Sequence, residues 1–534
     1  MWILILSNIF FSLLSIAFAV AVKIIIDGAT SPDIKTGKSQ ILYGAIGILV
    51  IVLLQFAFRI IINFLIEHIK GRLEIEYRSH LYGSILGKKY KKITEYHSGE
   101  LMNRIQSDVS VISDAVTTVV PNFIAAIARL ICAVIAIVIL DWIFATVFIV
   151  AGILVFITLT LMRGKLKVLH KDVQKTGGKL HSFMQECIEN LLAIKVFSVN
   201  KKISDKADGL QEENFNAKIK RAKYSVGGHA VYNMIFSLGY IFALIYGAVK
   251  IYNGMLGYGS LSAILQLVNN VQVPFASLSS IFPKYYAMVA SAERIMEIEE
   301  IDGEISDKNF ENAKVYEKLK CFSLKSVTFS YDREVVLDNA NLIINKGDFV
   351  MIEGVSGIGK STLIKLLLGV YVADSGKILA NCDGQNYELS EHTRTLFSYV
   401  PQQNMLFSGS IYDNLTFIKS NATDEQIEHA LRVSCADEFI SSLPDGINTK
   451  VGENGLGLSE GQIQRIAIAR AVLAGAPVLL LDESTSALDE KTERKLLNNL
   501  KKLENKTLII VSHKNAAREI CNRIVKIQDK KITE

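Results

Sequence analysis

The stretch Glu353–Val370, EGVSGIGKSTLIKLLLGV, concentrates residues that can handle an anion. Gly354 is followed by Val355, Ser356, Gly357 and Ile358, then by Gly359, Lys360, Ser361 and Thr362. Glycines at this spacing let backbone N–H groups turn inward, which is the pattern of a phosphate loop. In such a loop Lys360 reaches the terminal phosphates of a nucleotide and the Ser361 hydroxyl holds Mg²⁺. Further along, the apolar run Val478–Leu481 delivers Asp482 and Glu483. One acid there can hold the water shell of a metal, and the second can polarise an attacking water. The run TLIIV from Thr507 likewise presents His513 at its tip.

These side chains need elements to position them. Asp348–Ile352 reads as a buried strand, and Thr362–Leu368 has helical apolar spacing, so a helix N-terminus faces the anion. Val478–Leu481 and TLIIV read as two more buried strands. FSLKSVTFSY alternates as a strand does and ends in Tyr331, an aromatic ahead of the phosphate loop. From about Cys321 onward, short strands, turns and helices predict an α/β domain.

The chain before that is of another kind. Hydrophobic residues make up 50% of the 534, and proline numbers only 7. The mean hydropathy is +0.30, high for a soluble enzyme. Spanning a bilayer takes about 20 apolar residues. Six stretches qualify: 2–26, 41–66, 116–140, 142–163, 226–251 and 256–282. The first has no basic residues ahead of it and too long an apolar run for a secretory signal, so it reads as a retained span. Because the chain begins directly in a span, a short leading segment is expected to precede it.

Lys and Arg crowd segments 67–115 and 164–225, whereas the opposite connections are short and carry only Lys35 and Lys38. Positive charge stays inside, so both long segments and both termini are cytoplasmic. Residues 67–95 and 164–220 mix Glu and Lys with periodic Leu, Ile and Val, and predict helices continuing out of the membrane. Breaks fall at Tyr96–Val109 and Asn190–Asn200. Inside the spans, Arg129, Gln266, Asn269, Asn270 and Gln272 either line a water-filled pathway or hydrogen-bond helix to helix. Arg59 reads as a snorkelling residue. The six cysteines are scattered, without metal spacing, and read as free thiols. A net charge of +5 gives no reason to expect nucleic acid.

The ordered set GVSGIGKST, VPQQ, LSEGQ (Leu458–Gln462), LLLDE and SH resembles the ATP-binding cassette (ABC) exporters, over nearly the whole chain. The resemblance implies a half-transporter. Residues 1–300 would be an all-α six-helix transmembrane domain with cytoplasmic extensions and 301–320 a linker. Residues 321–534 would be a P-loop ATPase with a helical subdomain near 404–475. It implies that Tyr331 stacks on adenine and that Gly354 to Thr362 wraps ATP. Ser361, Gln402 and Asp482 would hold Mg²⁺, Glu483 would be the general base, and His513 would contact the γ-phosphate. Ser459, Gly461 and Gln462 would complete the site of a second chain, identical or paralogous. Ser486 to Asp489 resembles the D-loop, and GELMNRIQSDV and AIKVF resemble the two coupling regions. Glu460 departs from the usual glycine, and is expected to point away from the nucleotide because its charge would repel it.

The expected activity is ATP-driven export of a peptide, lipid or amphipathic molecule from a bacterial plasma membrane, with membrane lipids as surroundings. The alternative is an ATP-gated channel or membrane regulator, which passive ion conductance would reveal and which Glu483 argues against. A DNA-repair ATPase is excluded by the spans. Importers of this class carry the two domains on separate chains. No peptidase domain precedes the first span, so cargo trimming is not expected.

Overall fold

The computed structural model describes residues 1–304, 312–331, 334–402, 406–452, 455 and 457–533, with the side chains of 159, 163, 229, 275–280, 282 and 312–314 excluded. Residues 305–311 of the expected linker, and Gln403 beside Gln402, lie outside the described residues. The chain forms two compact units. One joins 1–82 to 99–297, and the other joins 83–98 to 298–534.

The first unit is helical throughout. Its long helices are Trp2–Ala29, Ile34–Leu86, Ser98–Leu140, Trp142–Glu189, Asn200–Tyr252 and Tyr258–Glu299. Among the described residues, five helices are long and apolar enough to cross a membrane, the fourth over Trp142–Met162. The expected sixth span lies in Tyr258–Glu299, where Gln266, Asn269, Asn270 and Gln272 dilute the apolar run. Leu49, Leu53, Phe56 and Phe64 of Ile34–Leu86 are exposed. That much bare apolar surface suits lipid rather than water. Inside, Ala133, Ile137, Phe144, Phe148, Phe236 and Ile264 pack as one core. Asp141 caps the helix that starts at Trp142, accepting from the Ile143 N–H at 2.9 Å, and also pairs with Lys250.

The break expected over Tyr96–Val109 is not where the helix turns. Gly99–Val109 stays with the helical unit, running through a π-helical turn at Arg104–Asp108 into the third span. Arg104 and Asp108 are buried there, Arg104 with Glu100 and Glu297, Asp108 with Arg294 and Ser291. Burying Arg104 and Asp108 there requires a continuous helix, so the turn comes earlier. Gly83–Ser98 packs in the second unit around the short helix Tyr90–Ile93. The other expected break holds the short helix Leu191–Val196.

The second unit is α/β. A six-stranded sheet runs Lys531–Thr533, Arg523–Gln528, Phe349–Glu353, Thr507–Val511, Val478–Asp482 and Phe397–Val400, parallel except at the first edge. The apolar strand runs alternate between two faces. Val350, Ile352, Leu480 and Ile509 meet Leu363 and Ile364 on one side. Met351, Leu479, Leu481 and Ile510 meet Ala467, Leu496 and Leu497 on the other. A four-stranded antiparallel sheet, beginning with Leu319–Tyr331, lies inside the first of these cores. Helices Ile411–Thr416, Asp424–Val433 and Glu460–Ala474 share a third core, which is the helical subdomain.

Candidate nucleotide site

Strand register gathers the site. Val511 lies opposite both Ile352 and Asp482, so three parallel strands end level. The phosphate loop, the Asp482–Glu483 pair and His513 therefore leave the sheet at one carboxyl edge, where open α/β sheets bind ligands.

In the loop, Gly359 has φ +112, and a Cβ there would lie 2.6 Å from Val336 Cγ1. Only glycine fits this turn without strain. The helix Lys360–Leu367 follows at once. Lys360 is 5% exposed. Its ammonium donates to Gly354 O at 2.8 Å and Val355 O at 3.1 Å, and lies 3.1 Å from His513 Nε2. Glu483 Oε1 is 3.7 Å from that ammonium and 3.7 Å from His513 Nε2. Its other oxygen, Oε2, accepts from Gln402 Nε2 at 2.7 Å. Glu483 itself adopts φ +50, a left-handed conformation uncommon for a non-glycine residue.

Asp482 is 2% exposed. Burial holds its carboxyl above the usual carboxylate range, against hydrogen bonds from Ser361 and Tyr399 that favour the anion. Tyr399 OH reaches Oδ2 at 3.3 Å, while Oδ1 is buried and, among the described residues, has no hydrogen-bond partner. A buried oxygen beside a hydroxyl is a donor set that a hard cation accepts. The residues therefore fit Mg²⁺.

Tyr331 stands edge-on to Phe329 and Tyr371, with ring centroids 5.1 and 5.7 Å away, and its hydroxyl meets Thr362 Oγ1 at 3.2 Å. Tyr331, Lys360, Ser361, Thr362, Gln402, Asp482, Glu483 and His513 are thus linked by direct contacts. Ser459, Gly461 and Gln462 form a separate group. Ser459 caps the helix Glu460–Ala474, exchanging hydrogen bonds with Gln462. Glu460 is exposed in that first turn. A Cβ on Gly461 would come 3.0 Å from Ala487 O, so the helix packs directly on the D-loop backbone.

The motifs did not reveal several supports. Gln464, fully buried, donates to Ser486 Oγ at 3.0 Å and accepts from Ala487 N–H at 3.1 Å, tying the signature helix to the D-loop. A lone glutamine in the apolar run IQRIAIA was the available signal. Thr485, Glu493, Lys514 and Tyr399 carried none.

Two family profiles match: the ABC transporter transmembrane region over residues 1–275 and the ABC transporter profile over 337–486. The chain is 30% identical to a putative export ATP-binding/permease protein of Rickettsia conorii, covering 94% of this chain and 86% of that one. It is 27% identical to an ATP-dependent lipid A-core flippase of Syntrophus aciditrophicus, over 88% of this chain and 78% of the other. Its fold is similar to that of a bacterial Atm1-family ABC exporter with ATP bound, with a TM-score of 0.85, 21% identity, and coverage of 99% and 93%. With the membrane profile covering most of the helical unit and the ATPase profile covering both Lys360 and Asp482, the chain belongs to the ABC transporter family, as a membrane-spanning exporter whose nucleotide-binding domain hydrolyses ATP to drive transport.

Proposed function

We propose that this chain is one half of a two-chain exporter in a bacterial plasma membrane, with its ATPase unit in the cytoplasm. It moves a peptide, lipid or other amphipathic molecule outward by alternating access. The observation that carries this reading is the contact set Lys360, Gln402, Glu483 and His513 at the level strand ends.

In this reading the N–H groups of Gly354–Thr362 wrap the phosphates, Lys360 binds the β- and γ-phosphates, and Tyr331 stacks on adenine. Ser361, Asp482 and Gln402 hold Mg²⁺, and the unpartnered Oδ1 of Asp482 supports that assignment. When bound, Mg²⁺ neutralises charge on the phosphate oxygens. Glu483, its carboxylate oriented by Gln402, takes the proton of the attacking water. His513 contacts the γ-phosphate.

Ser459, Gly461 and Gln462 complete the site of the second chain, and the exposure of Ser459 at its helix N-terminus supports this. So does the tip at Leu191–Val196, where Leu192 is 79% exposed and Phe197 beside it 74%. Apolar side chains that far from the spans call for a protein partner.

In the purified, reconstituted protein, Glu483→Gln is expected to lower ATP hydrolysis at least ~100-fold while nucleotide still binds. Turnover within about threefold of wild type would remove Glu483 from the role of base.

A further inference from the structure

The six spans contain no Asp or Glu at all, but they do contain Lys23, Arg59, Arg129, Arg163 and Lys250. Two of these cations find acids at the ends of the helices. Lys23 lies 3.7 Å from Asp27, and Lys250 pairs with Asp141. Arg59 lies over the Phe11 ring. Among the cations whose side chains are described, Arg129 is different. Its Nε and Nη2 both donate to one neutral oxygen, Asn270 Oδ1, the former at 3.1 Å. Among the described residues no carboxylate pairs with it. The Asn270 amide in turn donates to Ser15 O at 3.4 Å.

Arg129 does not face lipid. It continues the row Pro121, Ala125, Ala133 and Ile137, which is the buried face of its helix. Phe123, Ile127, Ile131 and Ile135 hold the exposed face. Asn270 is 6% exposed on its own helix. At 1.5 Å per residue, Arg129 lies ~16 Å along its helix from Leu140, and Asn270 ~18 Å from Tyr258. Both are therefore near the middle of a hydrocarbon layer about 30 Å thick.

A guanidinium cannot shed its proton, and an unpaired charge at that depth is expensive. A second copy of this chain would bring no acid within its spans either. The missing counter-charge must come with something that enters the bundle. We propose that Arg129, oriented by Asn270, is the recognition point for the acidic group of an amphipathic cargo, a phosphate monoester or a carboxylate on an apolar chain. This rests on the exporter reading and narrows its cargo class. The apolar walls take the chain of the cargo, and Arg129 selects the sign of its head.

The test uses full-length protein carrying Glu483→Gln in nanodiscs of phosphatidylcholine, without ATP, so that binding is read independently of hydrolysis. Dodecyl phosphate and dodecanoate are compared with dodecanol, dodecyltrimethylammonium and inorganic phosphate. The two anionic amphiphiles are expected to bind about tenfold more tightly than dodecanol, and inorganic phosphate not to compete. Adding Arg129→Gln should shrink that preference to within about twofold, whereas Arg129→Lys should keep most of it and Asn270→Ala about a third. No preference in the parent protein overturns the proposal whether or not the variants fold. So does a preference that survives Arg129→Gln, an equal loss in Arg129→Lys, or competition by inorganic phosphate. Intact charge recognition with failed hydrolysis in the Glu483 background, or the reverse, tells the two readings apart.

Discussion

Lys514 follows His513 directly, yet its ammonium binds the D-loop, donating to Thr485 O at 2.9 Å and Leu488 O at 2.6 Å. Behind it lies Glu493, fully buried, 3.6 Å from the ammonium and accepting from Thr485 Oγ1 at 2.8 Å. Removing Lys514, itself a third exposed, leaves the buried Glu493 carboxylate without its cation, which costs on the order of 1–3 kcal/mol. Lys514→Met should therefore lower the melting temperature and, by loosening Ser486–Asp489, reduce kcat more than KM. Normal kcat in a folded Lys514→Met protein would show that the D-loop holds itself. The thiols give a simpler check. Burial pushes Cys521 up to about 11, so it should resist alkylation at pH 8 in the native protein and react once unfolded. Mass spectrometry after iodoacetamide treatment reads this directly. Gly354–Thr362 could be read from sequence because a phosphate loop is local backbone chemistry. Glu493, Thr485 and Tyr399 could not, since each acquires its role from a residue brought near only by the sheet and its covering helices.

The segment Gly83–Ser98 joins the ATPase unit through backbone and ring contacts. Lys89 N donates to Asp302 O at 3.1 Å, Glu304 N donates to Gly87 O at 2.7 Å, and Lys91 Nζ lies 5.1 Å from the Phe329 ring centre. The Tyr90 and Tyr371 rings are 6.3 Å apart, and Tyr371 stacks on Phe329 and meets Tyr331 edge-on. Aromatic rings thus run without a gap from this elbow to the proposed adenine platform. Tyr90→Ala removes only the elbow's ring, and such a pair is worth about 0.5–1.5 kcal/mol. It should leave nucleotide affinity near wild type while weakening stimulation of the ATPase by cargo severalfold. Unchanged stimulation would mean that the ring path carries no coupling. Helical character over 67–95 and 164–220 was legible from apolar periodicity. The position of the elbow was not. Ser98–Asp108 carries the polar residues and glycine of a turn, but the buried Arg104 and Asp108 find partners in Glu297 and Arg294, nearly two hundred residues away, and hold the segment helical.

For the whole molecule, the proposed pairing predicts complementation. Lys360→Ala disables the phosphate loop of its own chain, and Ser459→Arg disables the signature offered to the other. Each variant alone should be inactive. Mixed before reconstitution, half of the pairs formed are hybrids, and each hybrid holds one intact composite site. Activity should recover to about a quarter of wild type, and no recovery would show that one chain builds its site alone. The two-domain division was legible because lipid-facing and water-facing chemistry differ so sharply in composition. The assignment of Gly83–Ser98 to the ATPase side was hidden, since a segment from within the helical half packs there only through tertiary contacts.

The helices Trp142–Glu189 and Asn200–Tyr252 lie side by side for most of their length. At 48 and 53 residues they are roughly 72 and 80 Å long, against a hydrocarbon slab of about 30 Å. Some 45 Å of stiff rod therefore overhangs the bilayer. Tilting that overhang by ten degrees swings its far end by about 8 Å. Whatever grips the tip enjoys the leverage of a long handle, and a nucleotide-sized displacement there asks only a slight lean of the rods where they enter the lipid.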